Sequence, residues 1–380
     1  MYREVKQVLA IRLFQNMAVA VSTQNVIVTA CNLGGRVVQL TPENISDSLK
    51  LLQREFYNQS FLKCIRNIFI LTRLIKQTKP DIVHVNALQD LAPVFFAVQL
   101  STINGHKPAI IAMSHNPLSW ENPRSAWLNS KFIKYFSDGF VALATTHKNQ
   151  LLKYGIHADK VTVIPNPLDP EMLKINDSST EEKANKPQQN YKVTYVANIC
   201  ERKAQDVLIN AASQILLKYP KVKFELIGKV IRGEEDYHEK LKSLIKDYNL
   251  GESIRLVGGI PYKDVLTSLH ECDLFLFPTR AEMMPRAVIE AMVIGKPVIA
   301  SAVDGILDLI QNRKTGILVQ PGNVSELVSR VIELIENPQI ASELGKAGRE
   351  YILDYCSPER VGTEFRNFYQ YILNKKISNN

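Results

Sequence analysis

The sequence predicts an α/β protein of two domains, each a parallel sheet with helices on both faces. Three observations lead there. At 380 residues the chain is longer than one hydrophobic core sustains. Short apolar runs alternate with helix-length amphipathic stretches along most of it. One polar stretch, EMLKINDSSTEEKANKPQQN at 171–190, has no apolar period and breaks the alternation near the middle. The expected boundaries are 1–170 for the first domain, 171–190 for a linker and 191–356 for the second domain. A terminal segment follows at 357–376.

In the first domain the strand runs are NVIVTA (25–30), DIVHVN (81–86), AIIAMS (109–114), GFVALA (139–144) and KVTVIPN (160–166). Helical patterns separate them. The second domain is more regular. Strands are expected at 193–197, 223–228, 254–259, 273–277, 297–301 and 316–319, with helices at 204–219, 237–250 and 287–294. Continuous apolar strands joined by helices mean a parallel sheet buried on both faces. Ligands of such sheets bind at the carboxyl ends of the strands. The terminal segment opens with Ser357 as a cap and Pro358 at the first helical position. It reads as a helix that either crosses back to the first domain or stays on its own.

Composition narrows the class. Hydrophobic residues are 46% and charged residues 22%, which excludes a disordered or fibrous chain. Lys and Arg outnumber Asp and Glu by 46 to 38, a formal charge of +8. Residues 1–170 hold 18 basic and 10 acidic side chains, and 171–380 hold 28 of each, so the first half carries the whole excess. A basic domain meets an anionic surface or substrate on that side. The stretches FLKCIRNIFILTRLIKQTK (61–79) and WLNSKFIKYF (127–136) concentrate cations, which suits contact with an anionic membrane face. No interleaved aromatic motif supports a nucleic-acid partner. Five widely spaced cysteines, with no CxxC, give neither a disulfide framework nor a zinc site and fit a reducing cytoplasm. No apolar run reaches the roughly 18 residues of a transmembrane helix. The N-terminus lacks the pattern of a signal peptide.

The stretch FLFPTRAEMMPRAVIEAMVIGKPVIAS (275–301) is the most informative. A strand ends near Phe277. A short loop then leads into a helix expected to begin at Met284, with Pro285 at its first position and Gly295 just past its end. Met284 cannot cap. The amides of Arg286, Ala287 and Val288 are therefore open to an anion such as phosphate, with Arg286 adding charge, or they simply face water. Glu282 falls in the loop and Glu290 inside the helix.

Glu282 and Glu290, with seven residues between them, resemble the E-x(7)-E signature of retaining glycosyltransferases of the GT-B fold, family 4 type. Other stretches agree in order. DGILDLI (304–310) resembles that family's G-G-x-x-E-h-I, and TGILVQPGN (315–323) its T-G-x-L-V-x-P-G-D. VTYVANICERKAQDVLI (193–209) resembles its strand followed by G-R-L-x-x-x-K-G-h-D-x-L-I. The resemblance implies two Rossmann-like domains facing a cleft. It implies transfer of a sugar, of hexosyl type, from a nucleotide-diphosphate sugar to an acceptor hydroxyl with retention, in polysaccharide, lipopolysaccharide or glycolipid synthesis. The acceptor is expected to be lipid-linked or a glycan, and the enzyme to work in the cytoplasm at the inner membrane face.

Roles follow from the same resemblance. Glu290 accepts hydrogen bonds from ribose hydroxyls, and Glu282 contacts donor-sugar hydroxyls. Lys203, helped by Arg202, binds the diphosphate and offsets charge on the leaving group. Met283, Met284, Arg286 and Ala287 line the same site. Asn198 stands where the family has an arginine, and Met283 where it has a glycine. His115, in AIIAMSHN, matches a histidine beside the sugar's reacting face, and His84 a histidine read as mainly structural. No cofactor is implied beyond the nucleotide sugar. No Asp-x-Asp motif occurs, so no metal is expected. Two other readings fit less well: a nucleotide-sugar 2-epimerase on the same fold, and an impaired relative serving as a binding partner.

The family opens with a strand and a Gly-Gly loop before its first helix. Residues 3–21 (REVKQVLAIRLFQNMAVAV) read as that first helix and 25–30 as the second strand. The first domain is therefore expected to lack its first strand, most simply because translation starts further upstream. Gly34-Gly35 leads into RVVQL and is a poor substitute.

Overall fold

The structure is a computed structural model, described for residues 7–11, 27–31, 61–86, 88–102, 107–114, 123–168, 172 and 191–378. It divides into two compact units. Residues 1–169 with 355–380 form the first, and 170–354 the second.

The first unit holds a six-stranded parallel sheet of β1 (Gln7–Ile11), β2 (Ile27–Cys31), β3 (Ile82–Val85), β4 (Ala109–Met113), β5 (Gly139–Ala142) and β6 (Val161–Val163). Their order is β2-β1-β3-β4-β5-β6. β1 corrects the expectation of a missing first strand. Residues 7–11 pair with β2 on one side and β3 on the other, with Leu9 opposite Thr29 and Val83. The run Val8–Ile11 is short, apolar and bounded by Lys6 and Arg12. A strand buried on both faces has no alternation, so such a run fits a helix turn as well as a strand. The remainder of 3–21 and the Gly34-Gly35 pair lie outside the described residues.

Among the described residues, four helices lie between β2 and β6: α1 (Phe61–Thr78), α2 (Leu91–Ser101), α3 (Pro123–Phe136) and α4 (Thr145–Lys153). The steps from β2 through β6 all run one way across the sheet, so right-handed crossovers place these helices on one face. Burial agrees. Val83, Val85, Ile110, Ala112 and Phe140 share one core with Leu71, Leu74 and Ile75 of α1.

Residues between them in sequence point to the other face. There the terminal helix covers the sheet. His84 Nδ1 lies 2.7 Å from Tyr369 Oη, with Phe365 beside its ring. A Cβ on Gly139 would meet Phe368 Cζ at 2.9 Å. This helix spans Pro358–Ser378 and belongs to the first unit. Ser357 Oγ accepts from the Arg360 amide at its start, and Lys376 pairs with Asp138 near its end at 3.0 Å.

The second unit holds β7 (Lys192–Val196), β8 (Lys223–Ile227), β9 (Ile254–Gly258), β10 (Leu274–Phe277), β11 (Val298–Ser301) and β12 (Ile317–Val319). The sheet is parallel in the order β12-β11-β10-β7-β8-β9. Its helices are α5 (Gln205–Lys218), α6 (Glu235–Asp247), α7 (Tyr262–Glu271), α8 (Arg286–Val293), α9 (Ile306–Leu309), α10 (Val324–Glu336) and α11 (Pro338–Tyr355), so the terminal helix is α12. The chain builds outward from β7 to β9, then returns to β10 and builds the other way. The order reverses between β7 and β10, which makes their carboxyl ends the switch point where ligands bind in such sheets.

Two glycines permit the close approaches this needs. A Cβ on Gly228, after β8, would lie 1.8 Å from the Ala197 carbonyl, after β7. A Cβ on Gly345 of α11 would lie 2.2 Å from the carbonyl of Gly295, which ends α8.

Candidate active site

The loops after β7 and β10 meet at the switch point. The first runs from Ala197 into a short 3-10 turn at Glu201–Lys203, then through Ala204 in the left-handed region (φ 54°) into α5. The second runs from Pro278 to Pro285. Backbone bonds lock them together. The Arg280 amide donates to the Arg202 carbonyl at 2.9 Å, and Thr279 Oγ1 donates to the same oxygen at 3.1 Å. Tyr195 Oη donates to the Lys203 carbonyl at 2.7 Å. Burial pushes the Tyr195 phenol well above its ordinary pKa, so it remains a donor.

This framework brings three of the expected residues together. Glu282 Oε2 accepts from Lys203 Nζ and lies 3.3 Å from Arg202 Nη1. Arg202 also donates to the Ala281 carbonyl at 2.9 Å. Lys203 Nζ sits 5.2 Å from the centre of the Phe277 ring, which stacks on Tyr195. The Lys203 and Glu282 side chains are 13% and 11% exposed. A pair this sheltered is held by geometry, because desolvation offsets much of its attraction.

Glu290 is buried on α8. Its Oε1 accepts from Tyr262 Oη at 3.1 Å and lies 3.6 Å from Arg286 Nη2. The Arg286 guanidinium stands 6.0 Å over the Tyr262 ring. Helix α8 begins one residue later than expected: Pro285 is the N-cap, and Arg286 opens the helix. No side chain caps it. Met283 and Met284 are buried, Ala287 is half-buried, and Arg286 and Asn198 are exposed. The Asn198 carbonyl accepts from Gln205 Nε2 at 3.0 Å.

His115 lies outside the described residues. His84 is fully buried in the first sheet against α12, where it serves packing.

Three contributors were not read from the sequence. Tyr262 holds Glu290 and stands just after the GGIP turn that follows β9. Its place at a strand's carboxyl end was the available signal. Arg280 donates to Asp206 at 2.8 Å and to the Glu201 carbonyl, fastening one loop to the start of α5. Phe277 floors Lys203. Nothing local marks the last two, since their partners are more than 70 residues away in sequence.

A carboxylate gripped by two cations, an uncapped helix start and a second carboxylate one turn into that helix suit a ligand with both phosphates and hydroxyls. Comparison with known proteins agrees. The family described as Glycosyl transferases group 1 matches residues 176–351, and Glycosyltransferase Family 4 matches 31–172. Between them the two family models span both units, and the fold is that of the GT-B glycosyltransferases. Among curated relatives, the poly(ribitol-phosphate) alpha-N-acetylglucosaminyltransferase of Staphylococcus aureus is 24% identical over 326 residues, 83% of this chain and 60% of that protein. The 2-deoxystreptamine N-acetyl-D-glucosaminyltransferase of Niallia circulans is 27% identical over 47% of this chain and 44% of its own. The chain thus spans about half the length of the curated relatives it matches. Among solved structures, a glycosyltransferase from Rickettsia africae superposes with a TM-score of 0.76 at 20% identity, covering 98% of this chain and 99% of that one. Anabaena HepE in complex with UDP gives 0.75 at 18% identity, covering 95% and 98%. These last two likenesses establish the fold.

Proposed function

We propose that the protein moves a hexosyl group from a nucleotide-diphosphate sugar to an acceptor hydroxyl with retention at the anomeric carbon. The observation that carries this reading is the cluster of Arg202, Lys203 and Glu282 at the switch point of the second sheet. A diphosphate arriving there competes with Glu282 for the two cations. Glu282 is then released toward the sugar hydroxyls, and the cations offset the charge that grows on the leaving diphosphate. Glu290, oriented by Tyr262, accepts from the ribose hydroxyls. The Arg286, Ala287 and Val288 amides and the Arg286 guanidinium add positive potential at the start of α8. His115 takes the part implied by its motif, a hydrogen bond to the donor sugar, and His115→Ala tests it.

The family's diphosphate arginine is Asn198 here, so Lys203 and Arg202 carry more of the load. Anabaena HepE was solved with UDP, which favours uracil as the base. The relatives named for poly(ribitol-phosphate) and for phosphatidylinositol mannosides favour an anionic or lipid-linked glycan acceptor. The reaction needs no metal in this reading, and chelator leaves the rate unchanged.

A thermal-shift panel with UDP, GDP, ADP and their sugars tests the reading on wild type and Glu290→Ala. UDP raises the melting temperature of wild type by mass action and not that of the variant. A panel in which no nucleotide shifts wild type would sink the proposal. An enzyme that returns its donor sugar epimerised at C2, with no acceptor product, would favour the epimerase.

A further inference from the structure

The helix layer of the first unit has an unusual surface. Helices α1, α2 and α3 are 18, 11 and 14 residues long, and none carries an Asp or Glu. They also present six of the fifteen exposed large hydrophobic side chains among the described residues. These are Phe69 on α1, Phe96 and Leu100 on α2, and Trp127, Leu128 and Tyr135 on α3. The other nine scatter over the remaining elements.

The groups on α2 and α3 are continuous. Leu128, Phe132 and Phe136 recur every four residues along α3. Phe136 stacks on Phe132 at 5.2 Å and on Phe95 at 4.4 Å, and it meets the exposed Phe96 at 6.2 Å. Trp127 and Tyr135 form the next stripe of α3 outward. Each has an ammonium over its ring: Lys131 Nζ is 5.5 Å from the Trp127 centroid, and Lys134 Nζ is 5.9 Å from that of Tyr135. Helix α1 packs against α2, with Thr72 Oγ1 3.4 Å from the Ala97 carbonyl, and adds Phe69, Arg73 and Lys76 along one stripe.

We propose that this layer is a membrane-docking face that seats in the headgroup region of an anionic bilayer, with the rings of Phe96, Trp127 and Tyr135 entering the interface. Charge complementarity selects that occupant. Every charged side chain on these three helices is a cation, carried by α1 and α3, and such a one-signed face suits an anionic surface. Among the described residues flanking these helices, Asp90 is fully buried, and Asp138 accepts from the Ile110 amide and from Lys376. Amphipathic rings beside Lys and Arg match the chemistry of the membrane–water boundary. No helix among the described residues is long and apolar enough to cross a membrane, so contact is along the surface. The proposal stands apart from the transferase reading, because none of these residues belongs to the nucleotide site.

The sequence supplies its own probe. It has two tryptophans, so Trp120→Phe leaves Trp127 as the single reporter. Vesicles of phosphatidylcholine mixed with phosphatidylglycerol are expected to shift its emission to the blue and to sediment the protein, with salt reversing both. Phosphatidylcholine alone is expected to do neither. Lys131→Glu with Lys134→Glu lowers partition by more than roughly tenfold, since each cation near such a surface contributes about fivefold. Trp127→Ser with Tyr135→Ser lowers it by about tenfold.

Circular dichroism and the nucleotide thermal shift show that each variant is folded, and the lipid readouts need no turnover. Three outcomes overturn the proposal: equal partition to neutral and anionic vesicles, unchanged Trp127 emission, or variants that bind like wild type. Self-association that the same variants abolish, without vesicle binding, also overturns it and assigns the face to a second copy of the chain.

Discussion

In the second unit, the cations at the strand ends reach carboxylates of the same domain: Arg202 and Lys203 to Glu282, Arg280 to Asp206, Arg286 to Glu290. In the first unit, Arg73 and Lys76 of α1 and Arg124 of α3 are exposed, and Lys131 and Lys134 lie over aromatic rings, with no carboxylate on either helix. Assigning the terminal helix to the first unit enlarges the contrast. That unit then has 22 Lys and Arg against 12 Asp and Glu, a net of +10, which leaves 24 against 26 in the second, a net of −2. A domain whose charges are matched internally is arranged to hold loops in one geometry. A domain with a one-signed excess is arranged to meet something anionic.

Lys203→Ala breaks the contrast most severely. It removes the more sheltered of the two cations on Glu282, and transfer is expected to fall by about 10² to 10³, the usual loss when one stabilising donor is removed. Stability falls too, because the sheltered Glu282 keeps only the more exposed Arg202 as a cation, beside the Met283 amide. Steady-state rates with a UDP-sugar donor check the first effect. Denaturant melts check the second. A Lys203→Ala enzyme with near-wild-type turnover would remove Lys203 from the mechanism. The charge reversals on α3 should leave nucleotide affinity unchanged, which is the matching test on the other unit.

Two glycines sharpen the comparison through packing. At Gly228 an added Cβ meets backbone, the Ala197 carbonyl, which cannot move without shifting the loop that carries Lys203. Gly228→Ala is expected to cost about 3 kcal/mol and to weaken nucleotide binding. At Gly139 the added Cβ meets the ends of the Phe368 and Ile372 side chains, which can rotate. Gly139→Ala is expected to cost about 1 kcal/mol, with nucleotide binding intact. Equal losses at the two sites would show that the terminal helix is as rigid as the loop.

The second unit was more legible in the sequence than the first, for physical reasons. Its strands are apolar, evenly spaced and closed by Gly and Pro. Helix α8 has Pro285 at one end and Gly295-Lys296-Pro297 at the other, so its limits moved by a single residue. β1 was hidden because four apolar residues between charges carry no period. The meeting of Lys203 with Glu282 was legible only through the family resemblance, since 79 residues separate them. Tyr262 was missed because a tyrosine opening an amphipathic helix looks like any surface ring until Glu290 is placed beside it.

Tyr369→Phe probes the first unit's polar core. It removes the hydroxyl that lies 2.7 Å from Nδ1 of the fully buried His84. Losing a buried hydrogen bond costs about 1 to 3 kcal/mol. The terminal helix should therefore loosen, visible as faster amide exchange in 358–378, while UDP stabilisation persists. Unchanged exchange would mean that Phe365 and Phe368 hold the helix without that bond.

Asp206 gives a modest effect and the one with a defined pH signature. Burial opposes its ionisation, but hydrogen bonds from Arg280 and Tyr237 outweigh that and hold its carboxyl below the ordinary aspartate range. The folded state therefore binds a proton less readily than the unfolded chain. The stabilisation is fully present above the unfolded value of about 4 and fades as pH falls through the lower folded value. Asp206→Asn should cost about 1 to 2 kcal/mol at neutral pH. The gap between wild type and variant should narrow below about pH 4 and stay flat from there to neutrality. Urea melts across that range measure it. A gap that instead widened with acidification would assign the pairing to another carboxylate. The fastening of the Arg280 loop to α5 would then have to rest on backbone bonds alone.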